Sequence, residues 1–393
     1  MSLMGIDLGT TGCKAVVFDA DGNVLSQAYR EYPLVMPTRE FRELDPDVVI
    51  GSAIIPVDRT GRPLHNAIIS LDLRRVTGWD EDLGSERIYR ITGQPAHPMF
   101  SLGKIVWLQH HLPQIVAQTW KFVNFEELIF LRLGLDPVVD TSLAASTMAL
   151  DLTAIEWSRE VLDYVGLDLD RFPALTPSGS VVGKLSPSVV ADLGLPAGTL
   201  VVAGGHDQAV GALGAGVIGE GVAVDVTGTF ECVNPVHRRP LLTDAMMAGN
   251  YIWEPYVRAG LFISISFIMT AGSILRWYRD TFARYEVEEA RRTGRDVYDL
   301  LLQEARPEPS PVFVVPHFAG SGTPTIDPLA KGAVLGLNLN TTRAEVVKAI
   351  VDSLGYEARL NVETFERGGV QIRELRAVGG AARSRLGLQT KAD

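Results

Sequence analysis

Apolar positions along this 393-residue chain fall into short runs separated by turn signals. Met4-Gly5-Ile6-Asp7-Leu8 reads as a strand that carries an acid near its end. Gly9-Thr10-Thr11-Gly12 reads as a tight turn, Ala15-Val16-Val17-Phe18 as a second strand, and Asp21-Gly22 as the turn into a third strand at Val24-Leu25. Residues 4–36 therefore read as a meander. The apolar spacing of Ile105, Leu108 and Leu112 predicts a helix over Ser101–His111. Asp140–Asp151, rich in Ser, Thr and Ala, reads as a loop. Gly198–Gly205 reads as a buried strand with a glycine exit, and Gln208–Gly216 as a helix of small residues. Arg343–Phe365 reads as a long amphipathic helix, and Leu375–Val378 as a short strand ending at Gly379-Gly380. Alternating strand and helix signals predict an α/β protein.

The first pattern recurs. Val222-Ala223-Val224-Asp225-Val226-Thr227-Gly228-Thr229-Phe230-Glu231-Cys232-Val233 is again strand, acid, Thr/Gly turn, strand, about 218 positions downstream. Two domains of similar build are expected, residues 1–215 and 216–393, with the boundary in the Gly214–Gly219 stretch. That stretch satisfies G-x-G-x-x-G, but a helix precedes it and a strand follows. This is the reverse of the order a dinucleotide fingerprint requires.

Composition narrows the function. The chain is 46% hydrophobic and 21% charged, with a net charge of -11. No basic face stands out for nucleic acid. The most prominent apolar run, Leu261–Met269, contains two serines and is too short to span a membrane. Two cysteines, Cys13 and Cys232, make no disulfide scaffold, and a reducing cytoplasm is the simplest compartment. The seven histidines show no metal-ligand spacing, and His110-His111 reads as a solvated helix end.

Each chemical motif has two readings at this level. The Gly9–Gly12 turn offers backbone N–H groups and two hydroxyls that suit a phosphate, with Asp7 beside it for a metal ion; it also suits an ordinary hairpin. Asp207, in Ala203-Gly204-Gly205-His206-Asp207-Gln208, lies where a strand gives way to a helix. It suits a general base for a kinase, and it equally suits a helix cap. Gly379-Gly380-Ala381-Ala382-Arg383-Ser384 admits close approach of a base or ribose, or is a plain strand-to-helix loop.

Taken in order, these segments resemble the FGGY family of carbohydrate kinases, within the actin-like ATPase superfamily. Ser101–Leu108, His317–Pro324 and Gly332–Leu337 continuing to Asp352 resemble further family segments. The resemblance implies two actin-like (ribonuclease H-like) α/β domains with nucleotide and substrate in a cleft between them. It implies ATP-dependent phosphorylation of a small sugar or polyol, a ketopentose or polyol by family membership. Asp207 is the implied catalytic base. Thr10, Thr11, Lys14, Gly228, Thr229, Gly320, Gly379, Gly380 and Ala381 are the implied nucleotide residues, and Asp7 and Asp225 the implied holders of Mg²⁺. Asp72, Arg74 and His206 are implied on the substrate side, with Ser70 standing where relatives carry a tryptophan. No nucleic-acid or membrane partner is expected, and a homodimer is compatible.

The chain departs from the family in two places. A helix and a strand expected between Asp47 and Ile54 are missing, and the helix beginning near Ser384 stops at Asp393. The expectation is that the molecule carries further residues at both places, so that one neighbouring pair between Asp47 and Ile54 lies further apart than the ~3.8 Å of a trans peptide. The alternative is a catalytically silent sugar-binding or regulatory protein of the same fold.

Overall fold

A three-stranded antiparallel meander opens the chain in the computed structural model, which describes residues 2–393 except 10, 11, 34, 39, 40, 47–52, 73, 75, 77 and 79–82. Strands Leu3–Leu8, Gly12–Phe18 and Val24–Glu31 pair in that order, in a register that sets Asp7 opposite Lys14 and Leu8 opposite Cys13. Asp19 holds the second turn, its Oδ1 accepting the Asp21 and Asn23 amides, while Gly22 supplies the positive φ of 85°. Thr10 and Thr11 lie outside the described residues, as does the window in which the Asp47–Ile54 spacing would be read.

The chain divides into two units. Unit 1 comprises Met1–Val210 with Glu254–Ala259, and unit 2 comprises Gly211–Trp253 with Gly260–Asp393. The change from one to the other falls inside the helix Asp207–Gly214, and the strand Ile252–Pro255 returns the chain briefly to unit 1. Unit 1 has its core on a four-stranded sheet of Glu43–Leu44, Ala67–Ile69, Ala53–Val57 and Lys121–Val123. There Leu44, Ile55, Val57, Ile69, Val123 and Phe125 are buried together. The opening meander is a separate sheet among the described residues. Leu3, Met4, Ile6, Val24, Leu25 and Tyr29 each leave half or more of their surface to solvent.

Unit 2 carries a five-stranded sheet in the order Ile252–Pro255, Phe262–Ile265, Glu231–His237, Val222–Thr227, Glu374–Val378. The last two strands are parallel, so Val226 and Val378 end side by side. The helix Arg343–Arg367 starts in a capping box: the Thr342 hydroxyl accepts the Glu345 amide and the Glu345 carboxylate accepts the Thr342 amide. Its Val347, Ile350 and Leu354 pack with Ile274, Tyr278, Leu301 and Val312.

Two expectations change. Thr141–Ala145 is a short helix rather than loop, because buried Asp140 caps it by accepting the Ser142 and Leu143 amides. The strand Leu200–Val202 is present but not buried. It belongs to a two-stranded sheet, and Leu200 and Val202 are exposed.

Candidate active site

Asp207 is the first residue of its helix, in unit 1, and its side chain is mostly exposed. Its Oδ1 accepts the amide of Gln208, the adjacent residue, at 2.7 Å. A capping side chain instead accepts from the second or third residue beyond it. The backbone before Asp207 is anchored at two points. The Gly204 amide donates to Glu126 Oε1 at 2.7 Å, and the His206 amide to Ser142 Oγ at 2.8 Å. Ser142 in turn donates to Asp140, as does Ser178. Gly205 is needed for space, since a Cβ there would lie 2.8 Å from Val257 Cγ1 and 3.0 Å from Ser142 Oγ. Asp140, Ser142, Glu126 and Val257 were not singled out in the sequence; only the Asp140-Thr141-Ser142 cap pattern held a readable signal.

Asp7 stands on the first hairpin of the same unit. Partial burial, then the negative charge of Asp207, hold its carboxyl above the usual carboxylate range, against the pull of Lys14. Gly9 closes its turn by donating to the Gly12 carbonyl, and its own carbonyl accepts the Tyr32 hydroxyl.

The second hairpin lies in unit 2. Its stem is buried and its tip, Gly228-Thr229-Phe230, is exposed. Gly272 donates to the Gly228 carbonyl, and Ala271 and the Ser273 hydroxyl to that of Thr229. Gly379 reaches the same end of the sheet. Its φ is 92°, and a Cβ would lie 2.5 Å from the Thr227 carbonyl oxygen, so only glycine fits. Gly380 and Ala381 form the 3₁₀ turn that follows, and Gly320, also at positive φ, packs against Asp327 and Pro328.

Two family profiles match this chain. The profile of the FGGY family of carbohydrate kinases, N-terminal domain, matches residues 2–54 and 48–214, and that of the C-terminal domain matches 223–393. The chain belongs to the FGGY family of carbohydrate kinases. The N-terminal match comes in two pieces that overlap at residues 48–54. Gluconokinase of Bacillus subtilis (strain 168) is 27% identical over 428 residues, covering 100% of this chain and 82% of the relative. Xylulose kinase of the same strain is 25% identical, covering 100% and 83%. Among solved structures, xylulose kinase from Rhodospirillum rubrum aligns with a TM-score of 0.87 at 22% identity, over 100% of this chain and 84% of that one. Plasmodium falciparum glycerol kinase with ADP aligns at 0.85 and 19% identity, with the same coverage. The fold is the two-domain α/β fold of the FGGY sugar kinases, and the chain is a phosphotransferase acting on a sugar or polyol, with ATP as the family's co-substrate.

Three implied residues of this FGGY kinase already have charged partners. Asp72 and Arg74 are almost wholly buried. Arg74 grips Asp72 through Nε and Nη2, both at 2.8 Å, donates to Glu43 Oε1 at 2.7 Å, and lies over the Phe41 ring at 4.0 Å. Asp225 is buried and already has a cation, because Lys391 from the last helix places Nζ 2.6 Å from its Oδ2, 2.9 Å from Thr227 Oγ1 and 2.9 Å from Glu231 Oε1. Among the described residues, no three His, Cys, Asp or Glu side chains form a metal-ligand group. Lys14 is exposed on its strand, opposite Asp7.

Below the Asp207 turn the helix Phe125–Arg132 carries two adjacent acids. Burial, with the charge of Asp140 adding to it, raises Glu126 to about 7. Complete burial and the charge of Glu126 raise Glu127 to about 8.

Proposed function

We propose that this FGGY kinase uses Asp207 as general base toward the acceptor hydroxyl of a small sugar or polyol, with ATP as phosphoryl donor. The observation that carries the reading is the placement of Asp207, open to solvent at the start of its helix and on a firmly anchored turn in the same unit as Asp7. A hydroxyl approaching Asp207 transfers its proton as it attacks the γ-phosphorus. Exposed Thr229 and Gly228 suit nucleotide phosphates, and Gly379-Gly380-Ala381 suits the adenosine side.

A divalent cation fits next to Asp7, since it relieves the repulsion that Asp207 imposes there. Asp7 would hold Mg²⁺, through water, and the ion neutralises phosphate charge when bound. Asp225 is not included, because Lys391 already balances it. Thr10 and Thr11 remain part of the proposed phosphate turn on sequence grounds.

The acceptor class follows the relatives, whose names span a gluconokinase, a xylulose kinase and a glycerol kinase. A ketopentose or small polyol is the first choice. Among the described residues no helix is long and apolar enough to cross a membrane, and a cytoplasmic location is part of this proposal. The test is ADP release from ATP-Mg²⁺ with gluconate, xylulose, glycerol and related sugars. Acceptor-dependent ADP is expected. In the responding reaction Asp207→Asn removes proton acceptance at nearly constant size, so kcat falls by ~10²–10⁴-fold while ATP affinity holds. Near-normal kcat in that variant removes Asp207 from catalysis.

A second reading is a sugar-binding or regulatory protein of the same fold without turnover. Sugar binding with no ADP release from any acceptor decides for it.

A further inference from the structure

Both ring nitrogens of His206 face carboxylates. Its Nδ1 lies 2.8 Å from Glu254 Oε2, and its Nε2 lies 3.3 Å from Asp207 Oδ1. Glu254 is buried, on the strand Ile252–Pro255. It reaches the Asp207 turn from a segment nearly 50 residues later, in the short return of the chain to unit 1. Val257 of the same return packs at Gly205. Two carboxylates thus flank one imidazole, in an order that only the fold creates.

This arrangement settles which Asp207 oxygen is free. Oδ1 already accepts the Gln208 amide and faces His206 Nε2. Oδ2 is left for the acceptor hydroxyl. We infer that Glu254 is a positioning residue for the phosphoryl transfer: its carboxylate holds the His206 ring at 2.8 Å, and the ring, 3.3 Å from Asp207 Oδ1, draws that oxygen to itself and leaves Oδ2 toward the substrate. The inference rests on the reading of Asp207 as base. His206 is therefore moved from the substrate side to the support of the base.

The charge state agrees with the geometry. Burial opposes protonation of His206, but Glu254 through charge and hydrogen bond, then Asp207 and Asp140, raise it to about 9. The acids facing it are Glu254 on its strand, Asp207 beside it and Asp140 at the Thr141 helix cap; Glu126 lies behind the turn at Gly204. Removal of the Glu254 charge takes away the largest contribution that opposes burial, leaving only Asp207 and Asp140 against it, so the His206 midpoint falls. A neutral ring can then turn its lone pair toward Asp207 and release the carboxylate.

The test compares Glu254→Gln with the parent and with Asp207→Asn. Carbon-13 labelling of the seven histidine rings lets His206 be followed by NMR, its signal assigned by its loss in His206→Gln. In the parent His206 titrates near pH 9; in Glu254→Gln its midpoint falls by about two pH units or more. This readout needs no acceptor. In the acceptor-dependent ADP assay, Glu254→Gln is expected to lose ~10–100-fold in kcat at pH 8, with both KM values within about 2-fold, and to recover much of it at pH 6. A purely structural Glu254 would instead lower melting temperature and activity alike at both pH values. An unmoved His206 midpoint, or full kcat at pH 8, overturns the inference even if Asp207→Asn is inactive. If Asp207→Asn is fully active, the base reading fails first.

Discussion

Lys391→Met tests whether the last helix is tied to the second hairpin by charge. The lysine is largely buried, and its ammonium lies between Asp225 and Glu231, both of which are buried almost completely. Methionine retains the stem and deletes the cation. Removing one partner of a buried ion pair costs about 3–5 kcal/mol, because the other charge is left uncompensated. A unit of this size shifts by about 2–4 °C per kcal/mol, so the melting temperature of unit 2 should fall by roughly 6–20 °C.

The pH dependence gives this prediction a second edge. Burial and the charge of Asp225 raise Glu231 to about 7 even with Lys391 pulling it down. A carboxyl raised in the folded state contributes stability that is full below its unfolded value, near 4.5. That contribution is lost as pH climbs to the folded value, and the loss then stops. Parent and variant should therefore lose stability in parallel up to about pH 7. Without Lys391 the Glu231 value rises further, so only the variant continues to weaken, by about 1.4 kcal/mol per pH unit. Thermal melts by circular dichroism at pH 6 and pH 8.5 read both effects. Adding Glu231→Gln to Lys391→Met should recover at least half of the loss. A gap below about 2 °C, or one that does not widen above pH 7, refutes the buried-pair argument.

Other expectations follow from the same kind of geometry. Arg74→Met takes from buried Asp72 and Glu43 the guanidinium that pairs with both, and should destabilise unit 1 by about 3–5 kcal/mol in a urea melt; a change under 1 kcal/mol places the pair outside the core balance. Glu127 is raised to about 8, and its Oε2 has no hydrogen-bond partner, so its contribution is full below pH 4.5 and disappears as pH rises through 8. Glu127→Gln should accordingly raise the melting temperature at pH 8.5 relative to the parent more than at pH 5, and equal shifts at both would contradict this. Gly379→Ala introduces a Cβ 2.5 Å from the Thr227 oxygen at a φ of 92°, and should reduce the melting-temperature rise that ATP-Mg²⁺ confers; an undiminished rise would show that the turn takes no part in nucleotide binding.

Local features of the chain were legible where one segment decides its own structure. The helix Ser101–His111 and the long helix from Arg343 follow from apolar spacing and a capping box, and both hairpins from turn residues between apolar strands. The position of Asp207 at a strand-to-helix passage was readable for the same reason. What surrounds it was not. Glu254 meets His206 across 48 positions and Lys391 meets Asp225 across 166, and no periodicity encodes such pairs. Asp72 and Arg74 show the opposite failure. Two charged residues in one short segment look like a polar surface, yet Glu43, Phe41 and Trp107 enclose the guanidinium and turn the segment inward. Burial of a charge depends on partners that a linear reading cannot locate.

The two hairpins also show how a repeated pattern divides its work. Both place an aspartate at the end of a strand before a Thr/Gly turn, and by sequence alone both suit a metal ion. Their surroundings differ. Asp7 is solvent-reachable, has only exposed Lys14 opposite it, and feels a second carboxylate, Asp207. Asp225 is buried, bonded by the Thr227 hydroxyl on one oxygen and by Lys391 on the other. An added cation lowers the energy of the first site, where negative charge is in excess. At the second it would have to displace an ammonium that two buried carboxylates already hold. The same motif thus leaves one acid open to solvent and ties the other to Lys391 of the helix Arg385–Ala392. Similarity of the two turns is evidence for a shared fold, and the charges packed around each turn set how readily it would take a cation.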